Sequence, residues 1–490
     1  MKLARLVALM VSLLMVSLLL PVVATADYDG ARIAYRARDY STALREFQRS
    51  AELGHPDAQF NVGAMHLRGE GTKADLGIAF AWLYLAVENG ISDARPMLDQ
   101  SKSRLTSQDI RSVEALRTKF GKAALFRTLL PTPEELTSGD GDAAPDAQTE
   151  ALADSIEQIA TSDNHYIPPS RCRTGSYNLN IVRAGVVKTG FDDYIVGLGI
   201  VAVFADVAAD GAVRDMEGVL MYPAGPFVRE HYQCFQTRHF PPADHVNAPQ
   251  RTVRMWNMST SSERETTDLA LTRLGTRLLP CAADGSPRCQ ELVALLPFSD
   301  AQRGSNEHDM LLRAAQGGLP SSQYLYGRYL RAFRGKAARA KARAWLEVAL
   351  QGGYQRAAIA LARLAITDGE TPDWQEAKRL LLQARSKRDL QAIVPLAALL
   401  AAAPDAALRS RSDMPDLLEQ ARRLRGSSDP TTLEIAAASD ASSGSFDAAI
   451  KTEDKAIGAA RKLGWTTSLL EQRRDSYAAG RPWYGDLLAF

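Results

Sequence analysis

Signatures of catalysis are missing from this chain of 490 residues. There is no Gly-x-Ser-x-Gly turn, no His-Glu-x-x-His, no glycine-rich phosphate loop and no Cys-x-x-Cys. The sequence-readable routes to acyl transfer, zinc hydrolysis, nucleotide chemistry and dithiol exchange therefore have no residues to carry them. Excess charge is missing too: 58 basic residues face 57 acidic ones, which argues against a general binder of nucleic acid or anionic membrane. A second long apolar run is absent, so beyond residue 26 nothing reaches the roughly 20 residues that span a bilayer. Cysteine is confined to positions 172–289.

What the chain does have begins at its N-terminus. Lys2 and Arg5 are the only charges before Asp27. Residues 6–26 are rich in Leu, Val and Met, broken by Pro21, and end in Ala24-Thr25-Ala26. A basic start, an apolar middle and small residues before a polar chain describe a secretory signal peptide over residues 1–26, cleaved after Ala26. The alternative is an uncleaved inner-membrane anchor. A bacterial lipoprotein site is excluded, since no cysteine follows the run.

Cys172, Cys234, Cys281 and Cys289 form an even, clustered set. In an oxidising periplasm such a set reads as two disulfides. Cys281 and Cys289 bracket Asp284-Gly285 and Pro287, which are turn formers, so a local bridge is expected there and Cys172 then pairs with Cys234. Four buried free thiols are the bland alternative. Zinc is disfavoured because neither Cys-x-x-Cys nor Cys-x-x-His spacing occurs. His231, His239 and His245, with Asp244, are the nearest approach to a metal set, but their spacing does not by itself bring them together. No cofactor is implied.

Internal repeats are the strongest signal. Gly54-x-x-Asp57-Ala58 recurs as Gly90-x-x-Asp93-Ala94, and at the same shift Asp39 meets Asp75 and Ala43 meets Ala79. In the C-terminal half Gly317-Gly318 recurs as Gly352-Gly353, Ala342 as Ala377, Trp345 as Leu380 and Ala349 as Ala384. Apolar residues fall three or four apart, as on helix faces. Small Ala and Gly alternate with Trp, Tyr, Phe and Leu, which suits closely packed helical hairpins. One such hairpin cannot bury its own stripe, so neighbours must stack.

At 57–90, Ala58-x-x-x-Val62-Gly63-x-x-His66-x-x-Gly69-x-Gly71, followed by Asp75, Ala79, Trp82, Ala86 and Gly90, resembles a Sel1-like repeat. Gly63 would let two helices approach, and Gly69 and Gly71 would permit positive φ in the turn. Asp75 would cap the second helix, Trp82 would fill the gap between helices, and Ala79 and Ala86 complete the core. Residues 28–53 and 306–390 resemble degenerate copies. Gly444-Ser445-Phe446-Asp447-x-Ala449-Ile450 with Lys455-Ala456-Ile457 resembles a tetratricopeptide unit. Both resemblances imply protein–protein scaffolds.

Residues 131–165 carry nine Asp or Glu and no Lys or Arg, the composition of an acidic linker. The basic run Arg328–Arg343 is either a solvated helix face or the seat of an acidic partner, that linker included. From 166 to 262 the chain turns strand-like. Leu198–Val207, the turn Asp210-Gly211 and Val213–Met221 predict a hairpin, Pro226–Phe240 a helix, and 250–258 a further strand. That order, with Val207-x-x-x-Gly211-x-Val213, Phe227, Arg229 and Arg238-His239-Phe240-Pro241, resembles the C-terminal domain of TonB-type energy transducers. The resemblance implies partner capture by β-augmentation, with Thr252, Val253, Arg254, Met255 and Trp256 as the outer, partner-binding strand. No long Pro-rich spacer precedes this region and it lies mid-chain, unlike the family pattern.

The expected fold is thus α+β and multidomain: a signal peptide (1–26), Sel1-like helical repeats (27–130), an acidic linker (131–165), a small antiparallel-sheet-plus-helix domain (166–262), a connector holding the Cys281/Cys289 loop (263–305), and Sel1/tetratricopeptide-like repeats (306–490). The expected function is a non-catalytic periplasmic scaffold that binds other envelope proteins. No nucleic acid or small-molecule substrate is implied. The competing expectation is a TonB-type transducer, anchored by its N-terminal segment and acting on an outer-membrane transporter.

Overall fold

The computed structural model describes residues 27–132, 135, 164–166, 198–207, 213–222, 235, 251–260, 267–296, 298–331, 336–367, 372–387, 389–463, 465, 467–485 and 487–488. These residues are mostly helical. The helices run in hairpins: α1 (Tyr28–Arg36), α2 (Tyr40–Glu52), α3 (Pro56–Arg68), α4 (Leu76–Glu88), α5 (Arg95–Lys102), α6 (Ser107–Phe120) and α7 (Lys122–Thr128) come first. Beyond the central segment follow α8 (Thr267–Ala283), α9 (Pro287–Leu295), α10 (Glu307–Gln316), α11 (Pro320–Arg331), α12 (Lys336–Gln351), α13 (Arg356–Thr367), α14 (Trp374–Ser386), α15 (Ile393–Ala402), α16 (Met414–Arg425), α17 (Pro430–Ser442), α18 (Phe446–Lys462) and α19 (Ser468–Ala478). Among the described residues no helix is long and apolar enough to cross a membrane. Residues 1–26, the expected signal peptide, lie outside the described residues.

The repeat registers read from the sequence reappear as matched local structure. Asp39 and Asp75, one repeat apart, both cap helices: their side chains accept from the backbone N–H of Thr42 at 3.2 Å and of Ile78 at 2.9 Å. In the C-terminal register Ala342, Ala377, Trp345, Leu380, Ala349 and Ala384 are all buried. Small residues at these positions let hairpins approach closely, and Trp345 fills the space between them.

The two arrays were expected as separate segments on either side of a middle domain. They are packed against each other instead. A single buried apolar cluster begins at Leu125 and Leu130, in and just after α7, and continues through the C-terminal helices as far as Leu488. The Trp345 indole Nε1–H donates to the Leu129 carbonyl at 2.9 Å, and Glu135 pairs with Lys341 of α12. So the first residues of the expected acidic linker are docked on the basic helix rather than spacing two domains apart. The remainder of the linker up to 163 lies outside the described residues.

The connector 263–305 holds the expected Cys281–Cys289 bridge. Its residues 267–295 form the helical hairpin α8–α9, and Cys281 and Cys289 cross-link that hairpin with Cα atoms 5.8 Å apart. The expected Cys172–Cys234 bridge lies outside the described residues.

The central residues contribute β1 (Asn164–Tyr166), β2 (Leu198–Val207), β3 (Val213–Tyr222) and β4 (Arg251–Thr260). They form one sheet in the order β1-β4-β2-β3. β2 and β3 pair antiparallel, with register shifts at Ala202/Val203 and Asp206/Val207. Of the helix expected at 226–240 only Phe235 is described; it is helical and fully buried.

Candidate functional site

Of the residues singled out in the sequence, the repeat core is assembled by α3 and α4. A Cβ on Gly63 would fall 2.7 Å from Leu83 Cγ and 3.0 Å from the Ala79 carbonyl oxygen, so the close approach of the two helices requires glycine. Gly69 and Gly71 hold φ of 73° and 74°, and a Cβ on Gly71 would lie 2.3 Å from the Tyr40 carbonyl oxygen. Ala79 and Ala86 are fully buried. Trp82, 1% exposed, stacks on Phe120 of α6 with ring centroids 5.5 Å apart.

A feature not singled out in the sequence joins the two arrays. The motif Ala-x-x-Gly-x-Pro-x-x-Gln occurs three times: Ala51–Gln59, Ala282–Gln290 and Ala315–Gln323. In each, the glycine turns the chain at positive φ (92°, 83° and 92° for Gly54, Gly285 and Gly318). Proline then opens the next helix. The glutamine amide reaches back over the turn to the alanine carbonyl, at 3.2 Å for Gln59 and Gln290 and 3.1 Å for Gln323. Each buried glutamine thereby adds a second donor to a helix-end carbonyl that also accepts the N–H of the turn glycine.

These three turns lie side by side although the first belongs to the N-terminal array. The Tyr28 N–H and the Ser50 hydroxyl both donate to the Gly317 carbonyl, at 3.1 and 3.2 Å. Ser286 Oγ donates to Asp29 Oδ2 at 2.9 Å, and Arg32 Nη1 to the Asp284 carbonyl at 3.3 Å. A Cβ on Gly285 would come within 3.0 Å of Asp57 Oδ2. At the centre is His55, 1% exposed, stacked on Tyr28 at 4.3 Å. Its Nδ1 accepts the Ala58 N–H at 3.2 Å and so caps α3.

The electrostatics of this seam follow from burial. Desolvation, helped by the Arg313 cation, holds the His55 pKa down to about 3, so the ring is neutral and an acceptor at neutral pH. Burial raises the carboxyls of Asp29 and Asp57; Ser286 and Arg32 counter it at Asp29, and Arg313 and Arg32 at Asp57. Burial and the nearby Asp57 also push the Tyr28 hydroxyl upward. The cluster binds two halves of a chain together. It aligns no nucleophile with a base.

The expected partner-binding strand is placed differently from its reading as an outer edge. Thr252–Trp256 lie within β4, which pairs with β2 on one side. On the other side Arg254, Met255 and Trp256 pair in parallel with Asn164, His165 and Tyr166 of β1. The TonB resemblance is therefore not supported at the strand that was to carry its function. Among the described residues the edge strands of the sheet are β3, which pairs only with β2, and the three-residue β1, which pairs only with β4 and covers Arg254–Trp256 but not Thr252 and Val253. His231, His239, His245 and Asp244 lie outside the described residues. Among those described, no group of three His, Cys, Asp or Glu is placed to hold a metal ion.

No family model matches the chain, and no curated relative does. Among the solved structures similar to it at low scores are the following three. One is the uropathogenic Escherichia coli protective antigen c5321, which displays an SLR fold, at 14% identity, a TM-score of 0.31, and coverage of 90% of this chain and 69% of that one. The second is a Sel1 repeat protein from Oxalobacter formigenes, at 12% identity and TM-score 0.24, covering 81% of this chain and 100% of that one. The third is yeast Tom70, at 13% identity and TM-score 0.27, covering 89% and 76%.

Proposed function

We propose that this protein is a non-catalytic protein–protein interaction scaffold of the bacterial envelope, working in the periplasm after removal of residues 1–26. The observation that carries the reading is the seam. It joins two helical-repeat arrays, far apart in sequence, into one continuous stack, and stacked hairpins present an extended surface suited to a macromolecule. The signal-like sequence of residues 1–26 and the Cys281–Cys289 bridge both suit an oxidising, exported location. β3 (Val213–Tyr222), the longer of the two edge strands, suits a second contact by strand addition. The register shifts along it leave that edge irregular, which limits non-specific pairing.

The test is photo-crosslinking in living cells, with the photoreactive residue placed at the exposed apolar positions Ile110, Leu382 and Leu390. Defined adducts with another envelope protein are expected, on a chain whose mass begins at Asp27. A cytoplasmic chain, or one that crosslinks nothing at any of the three positions, would remove the proposal.

A further inference from the structure

Among the described residues α6 (Ser107–Phe120) is the only one of helices α1–α19 with no buried residue. One of its faces still packs. A Cβ on Gly77 of α4 would fall 2.8 Å from Asp109 Cα, and Leu116 and Phe120 lie against the core of the first array. At helical spacing these inward positions leave Arg111 on the opposite side, with Ile110 and Arg117 on one flank and Lys119 on the other. Among the described residues nothing covers that outer face: Ile110, Arg111, Glu114, Ala115, Arg117 and Lys119 are all exposed, Ile110 at 58%.

A helix at the edge of a stack needs only a polar outer face, yet this one carries an excess of one sign. Residues 95–128, from α5 to α7, hold eight Lys or Arg against three Asp or Glu, in a chain whose net charge is +1. All eight cations are exposed. Among the described residues only Arg117 is ion-paired, to Glu114 at 3.5 Å. Asp109 is committed to the start of α6, where it accepts the Thr106 N–H and hydroxyl at 2.7 Å. Arg117 and Lys119 instead rest on aromatic rings, 4.8 Å from the centre of Tyr84 and 4.7 Å from that of Phe120. Like charges gathered this way repel one another and attract an acidic surface.

We propose that the outer face of α6, with the turn from α5 that precedes it, docks an acidic segment of a partner protein, and that Ile110 meets an apolar residue of that segment. This rests on the scaffold reading and names one of the scaffold's surfaces and the chemistry it holds. Charge complementarity selects the partner. An anionic membrane fits less well, because Leu116 and Phe120, which an interfacial helix would insert, are turned inward on α4. Single-stranded nucleic acid fits less well too, because the Phe120 ring that a base would stack on is taken by Trp82 at 5.5 Å.

A fluorescent peptide of Glu and Asp with two spaced leucines is titrated against the full chain and two charge-reversal variants. Arg104→Glu/Arg111→Glu/Lys119→Glu alters the patch. Lys451→Glu/Lys455→Glu/Lys462→Glu makes the same change of net charge at exposed positions of α18. The patch variant should bind at least tenfold more weakly and the α18 variant within about twofold of the parent, whose binding should weaken as salt screens the contact. Ile110→Ser should lose affinity and keep that salt dependence. No binding to the parent, or an equal loss in both reversal variants, overturns the proposal. So does a parent that prefers phosphatidylglycerol vesicles to the peptide. A photoreactive residue at Ile110 keeps the site testable where the patch variant misfolds: it should label the peptide and one at Leu382 should not, and the reverse pattern overturns the proposal. A cytoplasmic chain that binds the peptide would remove the envelope scaffold and support this surface. Envelope adducts at Leu382 and Leu390 with a silent peptide would leave the scaffold standing and remove this surface alone.

Discussion

The Tyr28 backbone N–H and the Gly317 carbonyl, from opposite arrays, meet at 3.1 Å. The same carbonyl also takes the Ser50 hydroxyl at 3.2 Å. Gly317 caps α10, so a helix end in the C-terminal array is completed by donors from the N-terminal one. Parting the arrays would exchange both bonds for water, a loss of about 0.5–1.5 kcal/mol each. The two should therefore unfold as a unit despite the long central excursion between them.

Gly285→Ala tests that coupling. The substitution places a side chain at φ 83° and within 3.0 Å of Asp57 Oδ2, a combination that should cost about 1–3 kcal/mol. Calorimetry should show one transition at a lower midpoint. Hydrogen exchange should show lost protection in α1 and α3 as well as in α9. An N-terminal array that keeps its protection would mean the seam is a passive contact.

Acid should loosen the same seam through His55. Its folded pKa near 3 lies below the roughly 6.5 of the unfolded side chain, so the unfolded state binds the proton more readily. Its contribution is complete above about pH 6.5 and is lost toward pH 3, at up to about 1.4 kcal/mol per pH unit. Asp29 and Asp57, raised by burial, act in reverse: their folded forms take protons first, so their term grows as pH falls. His55→Asn keeps a capping side chain and removes only the histidine term. Urea midpoints of the variant should gain on the parent as pH falls from 6.5; parallel profiles would exclude His55 as the acid-sensitive group.

Reduction of Cys281–Cys289 should reach the N-terminal array rather than a separate middle domain. The bridge closes a short loop, and its loss should cost on the order of 2–3 kcal/mol. That loop carries Asp284 and Ser286, the partners of Arg32 and Asp29. Cys281→Ser/Cys289→Ser should accordingly raise proteolytic cleavage in α1 and α2. Unchanged cleavage there would confine the bridge to a local role.

Trp82→Ala addresses the repeat core. Truncating a buried Trp costs about 3–5 kcal/mol, and here it also strips Phe120 of its stacking partner. A variant whose thermal melt overlays the parent's would show that Trp82 does not hold α4 against α6.

Much of this architecture could be read in advance because helical repeats write their packing into spacing. The matched caps Asp39 and Asp75, the Gly63 contact and the buried Ala342/Ala377 pair all sit where the periodicity placed them. The seam was hidden for a different reason. Its three turns share Ala-x-x-Gly-x-Pro-x-x-Gln, but in the second copy, Ala282–Gln290, the motif coincides with the Cys281–Cys289 bridge, a local signal that masks the repeat. Docking of one array on another is a long-range outcome that no local period encodes; the recurrence of Gln59, Gln290 and Gln323 was the available clue. The position of β4 was equally unreadable. Which strand lies at a sheet edge depends on a three-residue partner, Asn164–Tyr166, drawn from a segment whose composition signalled a linker.

The far end of the stack offers a double-mutant test of what secures Gly485, whose N–H donates to the Ala402 carbonyl at 2.8 Å, and Leu487. Arg473 and Glu434 form an ion pair with both side chains only 1% exposed, and Arg473 also donates to Leu487. Removing the cation in Arg473→Leu leaves the buried Glu434 carboxylate without its ion-pair cation, which should cost about 3–5 kcal/mol. Adding Glu434→Leu removes that stranded charge, so the double variant should recover much of the loss. What it cannot restore is the donor to Leu487. The double variant should therefore melt near the parent while its Gly485 amide exchanges faster. If global stability and Gly485 protection recover together, the guanidinium serves the ion pair alone and these residues are held by the buried leucines. If neither recovers, Glu434 has a further role in the packing around α17.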